Sequence, residues 1–231
     1  MFVKPLFLLF LTTFATAAFC ANSISVGVGA RMPDLISYSG GNLSGSLAPL
    51  YRCVFDRAGL EAKYIDLPLK RGLRDLEAGK ISALLPLAQS AARDRIGLFA
   101  GALFVADYVF VSLNAFSALE EKEKLKYVAP RSFIGINFIQ DQDAEIHEVN
   151  KWSQLVSMLR YDRADVAVLP KLLVSKLFGH DSVDVYQQPA GTLPVSFYLA
   201  DSERETSLAK RLLKAVDDCS VKKTIQTTLS E

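Results

Sequence analysis

Residues 62–87, AKYIDLPLKRGLRDLEAGKISALLPL, hold two strands and the helix between them. Ala62 to Leu67 reads as a strand. Pro68 then opens a helix, since its fixed φ suits a first helical turn and its missing N–H is no loss there. The helix runs through Ala78 and stops at Gly79. Ile81 to Leu87 is almost continuously apolar, as expected of a strand covered on both faces. Two strands joined by a helix lie parallel, because a tight hairpin cannot connect parallel neighbours.

Toward the amino terminus the same unit repeats. Ile24 to Val28 alternates as a first strand. Asp34 to Gly45 is rich in Ser and Gly and reads as a loop. From about Ser46 a helix follows, with Leu47, Leu50, Tyr51, Val54 and Phe55 on one face and Gly59 at its end. The order β-α-β-α-β indicates an α/β protein built on a parallel sheet.

Toward the carboxyl terminus a second cycle begins. Strands are expected at Tyr108 to Leu113, Phe133 to Phe138, Ala164 to Leu169, Val183 to Gln187 and Val195 to Leu199. Helices are expected at Val149 to Leu159, Leu172 to Phe178 and Thr206 to Asp217, the last with Leu208, Leu212 and Val216 on one face. Glu120 to Lys126 is a charged, solvated segment. There is no internal repeat and no low-complexity stretch.

Half of the 231 residues are hydrophobic and the formal net charge is +1. That supports a sizeable core and argues against a nucleic-acid surface, which needs a basic stripe. Residues 1–21 differ from the rest. Lys4 precedes an apolar run from Leu6 through Phe14, which ends in Ala15, Ala17 and Ala18. This is the pattern of a secretory signal peptide, and the run is shorter than the roughly 20 residues of a spanning helix. Cleavage is expected between Phe19 and Asn22. Cys20 would suit a lipoprotein, but Phe19 stands where a small residue is wanted. The expected location is the periplasm, where Cys53 and Cys219 meet oxidising conditions. Those two cysteines, and His147 and His180, lack the spacing of a metal site, and no cofactor or metal is expected.

Several segments in order resemble the bacterial extracellular solute-binding proteins of family 3, which include amino-acid receptors. Pro33-x4-Tyr38-x-x-Gly41-x3-Gly45 is similar to the family's opening loop. Pro68 to Leu73 and Leu76 to Ile81 resemble its second helix and third strand. Ser90-Ala91-Ala92-Arg93, with Phe99 six residues on, resembles its Thr-x-x-Arg ligand segment. Ala164 to Val168 resembles the strand entering the second-lobe side of the cleft. The resemblance implies a two-lobed type II periplasmic binding protein fold, each lobe a mixed sheet flanked by helices, with two hinge-crossing strands. Lobe 1 would be 22–108 plus 197–231, and lobe 2 would be 109–196. It also implies that the helices carrying Cys53 and Cys219 meet in lobe 1, where the two would form a disulfide.

Arg93 is the leading candidate for ligand contact, because a guanidinium fork matches a carboxylate. Arg95, two residues on, is its rival. Ser90 would add a hydroxyl, Tyr38 a ring, and Arg71 a second cation near the cleft. Asn137, in the strand expected at Phe133 to Phe138, completes the set. The family's acidic residue for a ligand ammonium falls here on Pro170, which has neither charge nor donor. Its usual Gly-Ser/Thr step is replaced by Phe138 to Asp143, where Asp141 or Asp143 would cap the next helix and oppose an anion. A standard α-amino acid therefore fits poorly, and a carboxylate held from the first lobe only, or some other small polar ligand, fits better.

The resemblance implies a monomeric, non-enzymatic binding protein that captures a small polar ligand for a transporter or sensor, with an ABC permease or membrane sensor as partner. Two other readings stay open: a lobe pair acting through protein contact, and an enzyme like the cyclohexadienyl dehydratases. The enzyme reading finds no Ser-His-Asp set and no pair of carboxylates in opposed environments.

Overall fold

The apolar positions of the first strand, Ile24, Val26 and Val28, are all buried in β1 (Ser23–Val28). A computed structural model describes residues 23–29, 32, 34–179 and 185–221. The signal segment, Cys20, Pro33 and His180 lie outside the described residues. β1 pairs in parallel with β4 (Glu61–Asp66) on one side and β5 (Ala83–Ala88) on the other. This is the parallel unit expected from residues 62–87. α1 (Ala48–Arg57) buries Tyr51, Val54 and Phe55, and α2 (Leu69–Glu77) follows Pro68 directly. The Ser/Gly-rich loop also holds a small hairpin of β2 (Ser37–Ser39) and β3 (Asn42–Ser44).

After β5 come a single helical turn, α3 (Ala91–Asp94), and the short strand β6 (Gly97–Phe99). β7 (Phe104–Ser112) then leaves this sector for a second one. There α4 (Phe116–Leu119), β8 (Lys126–Pro130), β9 (Glu145–Val149), α5 (Trp152–Arg160), β10 (Val166–Pro170) and α6 (Val174–Phe178) follow in turn. The chain returns along β11 (Tyr186–Ala200) and closes with α7 (Ser207–Cys219). The strand order is β4-β1-β5-β11-β7-β10-β8-β9, with β6 also on β11. β11 pairs antiparallel with β7 from Tyr186 to Val195, and from Val195 onward with β5. Two long antiparallel strands thus carry the chain between the sectors.

Four sequence expectations need correction. Phe133 to Phe138 is not a strand: Ile134–Phe138 forms a 3-10 turn after Ser132, whose φ of 62° turns the backbone out of extension. A Cβ on Gly135 would fall 2.4 Å from the Phe133 ring, so the turn tightens where only glycine fits. Asp141 caps no helix. Its carboxylate accepts from the Asp143 N–H at 3.0 Å, closing a turn into β9, an edge strand with too many charges to be seen in the hydrophobic pattern. The following helix starts at Trp152 rather than Val149, where Gln154 Oε1 accepts from the Asn150 and Lys151 N–H groups. Finally, Val195 to Leu199 is the end of one 15-residue strand whose pairing shifts between Pro189 and Gly191. The sequence predicts two separate strands, one ending at Gln187 and one starting at Val195, but the chain runs through with a bulge at Pro189 and Gly191, and a Cβ on Gly191 would fall 2.4 Å from the Phe138 ring.

The Cys53–Cys219 disulfide is present, with the Cα atoms 6.1 Å apart, and it fastens α1 to α7. Beneath it Tyr51 is fully buried and donates to the Ser196 carbonyl of β11 at 3.1 Å. In the second sector Asp165 binds Lys122 and accepts from the Lys126 N–H, which secures the charged segment. Among the described residues no helix is long and apolar enough to cross a membrane.

Candidate functional site

The site begins at the end of β5. Ser90 is extended and its hydroxyl accepts from the Arg93 N–H at 3.3 Å, so Ser90 is the N-cap of α3. A single turn then carries the Arg93 side chain inward while Ala91, Ala92, Asp94 and Arg95 stay exposed. Arg93 is 6% exposed. Its Nη1 donates to the Ala88 carbonyl at 2.7 Å and its Nη2 to the Ser132 carbonyl at 3.3 Å. Ala88 ends β5 in the first sector, and Ser132 follows β8 in the second. Arg93 therefore sits where the two sectors meet and touches both.

Arg93 has no carboxylate partner among the described residues. Asp94 is engaged elsewhere: it accepts from the Tyr198 hydroxyl at 2.6 Å and from Gln89 at 3.4 Å. The Tyr198 hydroxyl also accepts from the Ser90 N–H at 3.1 Å, locking α3 onto β11. Burial pulls the Arg93 pKa below the usual arginine value, and the neighbouring Tyr108 and Tyr198 oppose that shift. Burial, then the bond to Asp94, pushes Tyr198 up, so its hydroxyl stays protonated.

Around Arg93 lies a narrow cleft with a free volume of about 40 Å³. The first sector contributes Leu35, Leu47, Leu69, Pro86 and Leu87. The connecting strands contribute Phe104, Ala106, Tyr108 and Val195, and the second sector Phe133, Ile134, Pro170 and Leu172. Among the described residues Arg93 and Tyr108 are the polar side chains of this lining. Tyr108 is 4% exposed, packs on Phe133 and Phe138 at ring distances of 5.9 and 5.3 Å, and makes no side-chain hydrogen bond among the described residues. Burial raises its pKa to about 12, with Arg93 pulling the other way.

The sequence candidates divide. Arg93 lines the cleft, and Ser90 positions it from behind. Pro170 also lines it, at the end of β10. Tyr38 packs on Tyr64 at 5.9 Å in the β2–β3 hairpin, and Arg71 is largely exposed and pairs with Asp75 at 3.3 Å. Asn137 is exposed on the 3-10 turn. These three are not in the cleft lining. Sequence reasoning missed Tyr108, Phe133, Ile134 and Leu172. One signal was available for Tyr108: Phe104, Ala106 and Tyr108 alternate along β7 and so share a face. His147 pairs with Glu145 at 3.1 Å, and no cluster of metal-ligating side chains occurs among the described residues.

Neither a protein-family model nor a curated protein matches the chain. Solved structures do. A putative L-cystine ABC transporter protein from Listeria monocytogenes is 18% identical, with a TM-score of 0.69 over 85% of this chain and 89% of its own. An ancestral arginine-binding protein bound to arginine is 16% identical, with a TM-score of 0.69 over 85% and 92%. A histidine kinase sensor domain similar to periplasmic binding proteins is 13% identical, with a TM-score of 0.69 over 85% and 89%. Likeness at these identities is a likeness of fold, and it spans 85% of this chain.

Proposed function

We propose, from the two-lobed type II periplasmic binding fold that the chain shares with these structures, that it is a periplasmic solute-binding protein. It captures a small carboxylate-bearing ligand between its lobes and performs no chemistry on it. The observation that carries this reading is Arg93: a buried cation without a carboxylate partner among the described residues, at the meeting point of the two sectors and inside a cleft. A guanidinium in that setting retains donors for a ligand carboxylate, and closure over the ligand strengthens the pair by removing water. Lobe 1 comprises 22–108 plus 197–231 and lobe 2 comprises 109–196, joined by β7 and β11, which act as the hinge strands.

The compared proteins serve an ABC transporter, bind amino acids or form a sensor domain. We read this chain as their counterpart, exported by its amino-terminal signal and acting as a monomer on an ABC permease or a membrane sensor. Native mass spectrometry of exported protein, followed by calorimetry with whatever small molecule copurifies, tests the reading. One bound carboxylate per chain is the expected result. Protein that carries nothing, and that a broad panel of small acids fails to stabilise, would overturn it.

A further inference from the structure

Among the described residues the cleft lining has one cation and no anion. Asp94, the nearest acid in sequence, is held by Tyr198 and Gln89. Pro170 ends β10 with no side-chain polar atom. The two backbone carbonyls beside Arg93, of Ala88 and Ser132, already accept from its guanidinium. An ammonium placed here would lose water and gain no countercharge among the described residues, only neutral hydroxyl and carbonyl oxygens, and it would lie beside the Arg93 cation. The other walls are carbon: Leu35, Leu47 and Leu69 on one side, Phe133, Ile134 and Leu172 on the other. The Tyr108 hydroxyl is the second donor the lining offers, on a side chain 4% exposed and with no hydrogen-bond partner among the described residues.

Resting on the solute-binding reading, we propose that the ligand is an apolar monocarboxylate without an ammonium group, an aliphatic or arylalkyl acid. Its carboxylate meets Arg93 and the Tyr108 hydroxyl, and its hydrocarbon packs between the leucines and Phe133, which move apart to admit it because the free volume there is about 40 Å³. The electrostatic influence of Arg93 and Tyr108 on each other reflects their proximity, which puts both donors in the same part of the cleft.

Matched pairs test the idea. The dialysed, disulfide-bonded chain is titrated calorimetrically with 3-phenylpropionate against L-phenylalanine, and with 4-methylpentanoate against L-leucine. L-Arginine, L-cystine and L-glutamate serve as polar controls. The acids lacking the amino group should bind more tightly than their amino-acid partners, by about 30-fold or more, since the ammonium would be buried unpaired. Tyr108→Phe, which keeps the ring packing, should weaken binding by about 10-fold, and Arg93→Lys should weaken it further. An amino acid that binds as tightly as its partner acid, or a polar control that binds in place of both, would overturn the apolar class and leave the solute-binding reading standing. Binding by none of these probes would overturn the class as well. If nothing copurifies either, the solute-binding reading falls with it.

Discussion

On the β5 side of the cleft, position is set by directed bonds. Ser90 caps α3, Tyr198 holds Ser90 and Asp94, and Arg93 hangs from the Ala88 carbonyl. Behind them the Cys53–Cys219 bridge ties α1 to α7. On the β10 side, Phe133, Ile134, Pro170 and Leu172 bring carbon, and the polar contact given to Arg93 is a backbone carbonyl. On the proposed reading the first side is a preorganised donor, oriented before a ligand arrives. The second supplies area and excludes water, and it needs no particular side-chain orientation to do so. On that reading the difference teaches where charge recognition resides, in the first sector alone, while leucines of the first sector and the β10 side together set size and hydrophobicity.

The largest effect is expected from removing the covalent fastening. The Cys53–Cys219 bridge closes a separation of 166 residues. In the chain-entropy model a loop that long stabilises by about 5 kcal/mol, and measured losses run at about 2–5 kcal/mol. The double substitution Cys53→Ser and Cys219→Ser should lower stability by that amount and raise hydrogen exchange in α1 and α7. Exchange in α5, across the cleft, should change much less below the global transition. Equal loosening of both sectors would show that the bridge does not favour one of them.

Next comes the charge itself. Arg93→Ala should weaken ligand binding by about 2–5 kcal/mol, because a buried carboxylate would lose its partner. That corresponds to a loss of roughly 30-fold to several thousand-fold. Substitutions on the other wall, such as Leu172→Ala, should alter the preferred ligand size with a smaller change in affinity. Calorimetry on both variants separates the roles, and a larger loss from Leu172→Ala would reverse the assignment of the walls.

Tyr108 joins the two sides, and alkaline pH tests that junction. Its pKa in the folded protein is raised to about 12 from the usual 10, chiefly by burial. The fold favours the neutral phenol, so its contribution is complete below pH 10 and is lost as pH rises from 10 toward 12. Two units correspond to about 2–3 kcal/mol at most. Stability measured by urea unfolding should fall over that window, and Tyr108→Phe should flatten the fall. An unchanged slope in the variant would assign the alkaline loss to other buried tyrosines.

Much of the first sector was legible because its rules are local. Pro68, Gly79 and the apolar run to Leu87 define a strand-helix-strand unit without reference to the rest of the chain. Arg93 was legible through the order Ser90-x-x-Arg93. The apolar wall was not. Ile134 lies in a turn that Ser132 and Gly135 create, and Pro189 and Gly191 disguise the middle of β11 as a break. Leu172 follows Pro170 in a short 3-10 turn, Lys171–Leu173, too brief to show periodicity. Such residues reach the cleft through the crossing of β7 and β11, a long-range arrangement that no window of sequence contains.

The smallest effect expected is also the sharpest control on the comparison. Arg95 carries the same charge as Arg93 and lies two residues away, but one turn of α3 leaves it exposed while Arg93 is 6% exposed. It is the C-cap of that turn, a role satisfied by its backbone N–H rather than by its guanidinium. Arg95→Ala should therefore change both stability and affinity by no more than about 0.5 kcal/mol, the usual range for a surface position. Any long-range charge effect on an anionic ligand should fade with added salt, whereas the loss in Arg93→Ala should persist, because a desolvated pair is poorly screened. Calorimetry of both variants at low and at physiological ionic strength gives the comparison directly. If Arg95→Ala weakened binding as much as Arg93→Ala and salt abolished both losses, the cleft would be attracting ligand by diffuse field rather than by a clamp. The contrast between a donor wall and an apolar wall would then lose its physical basis.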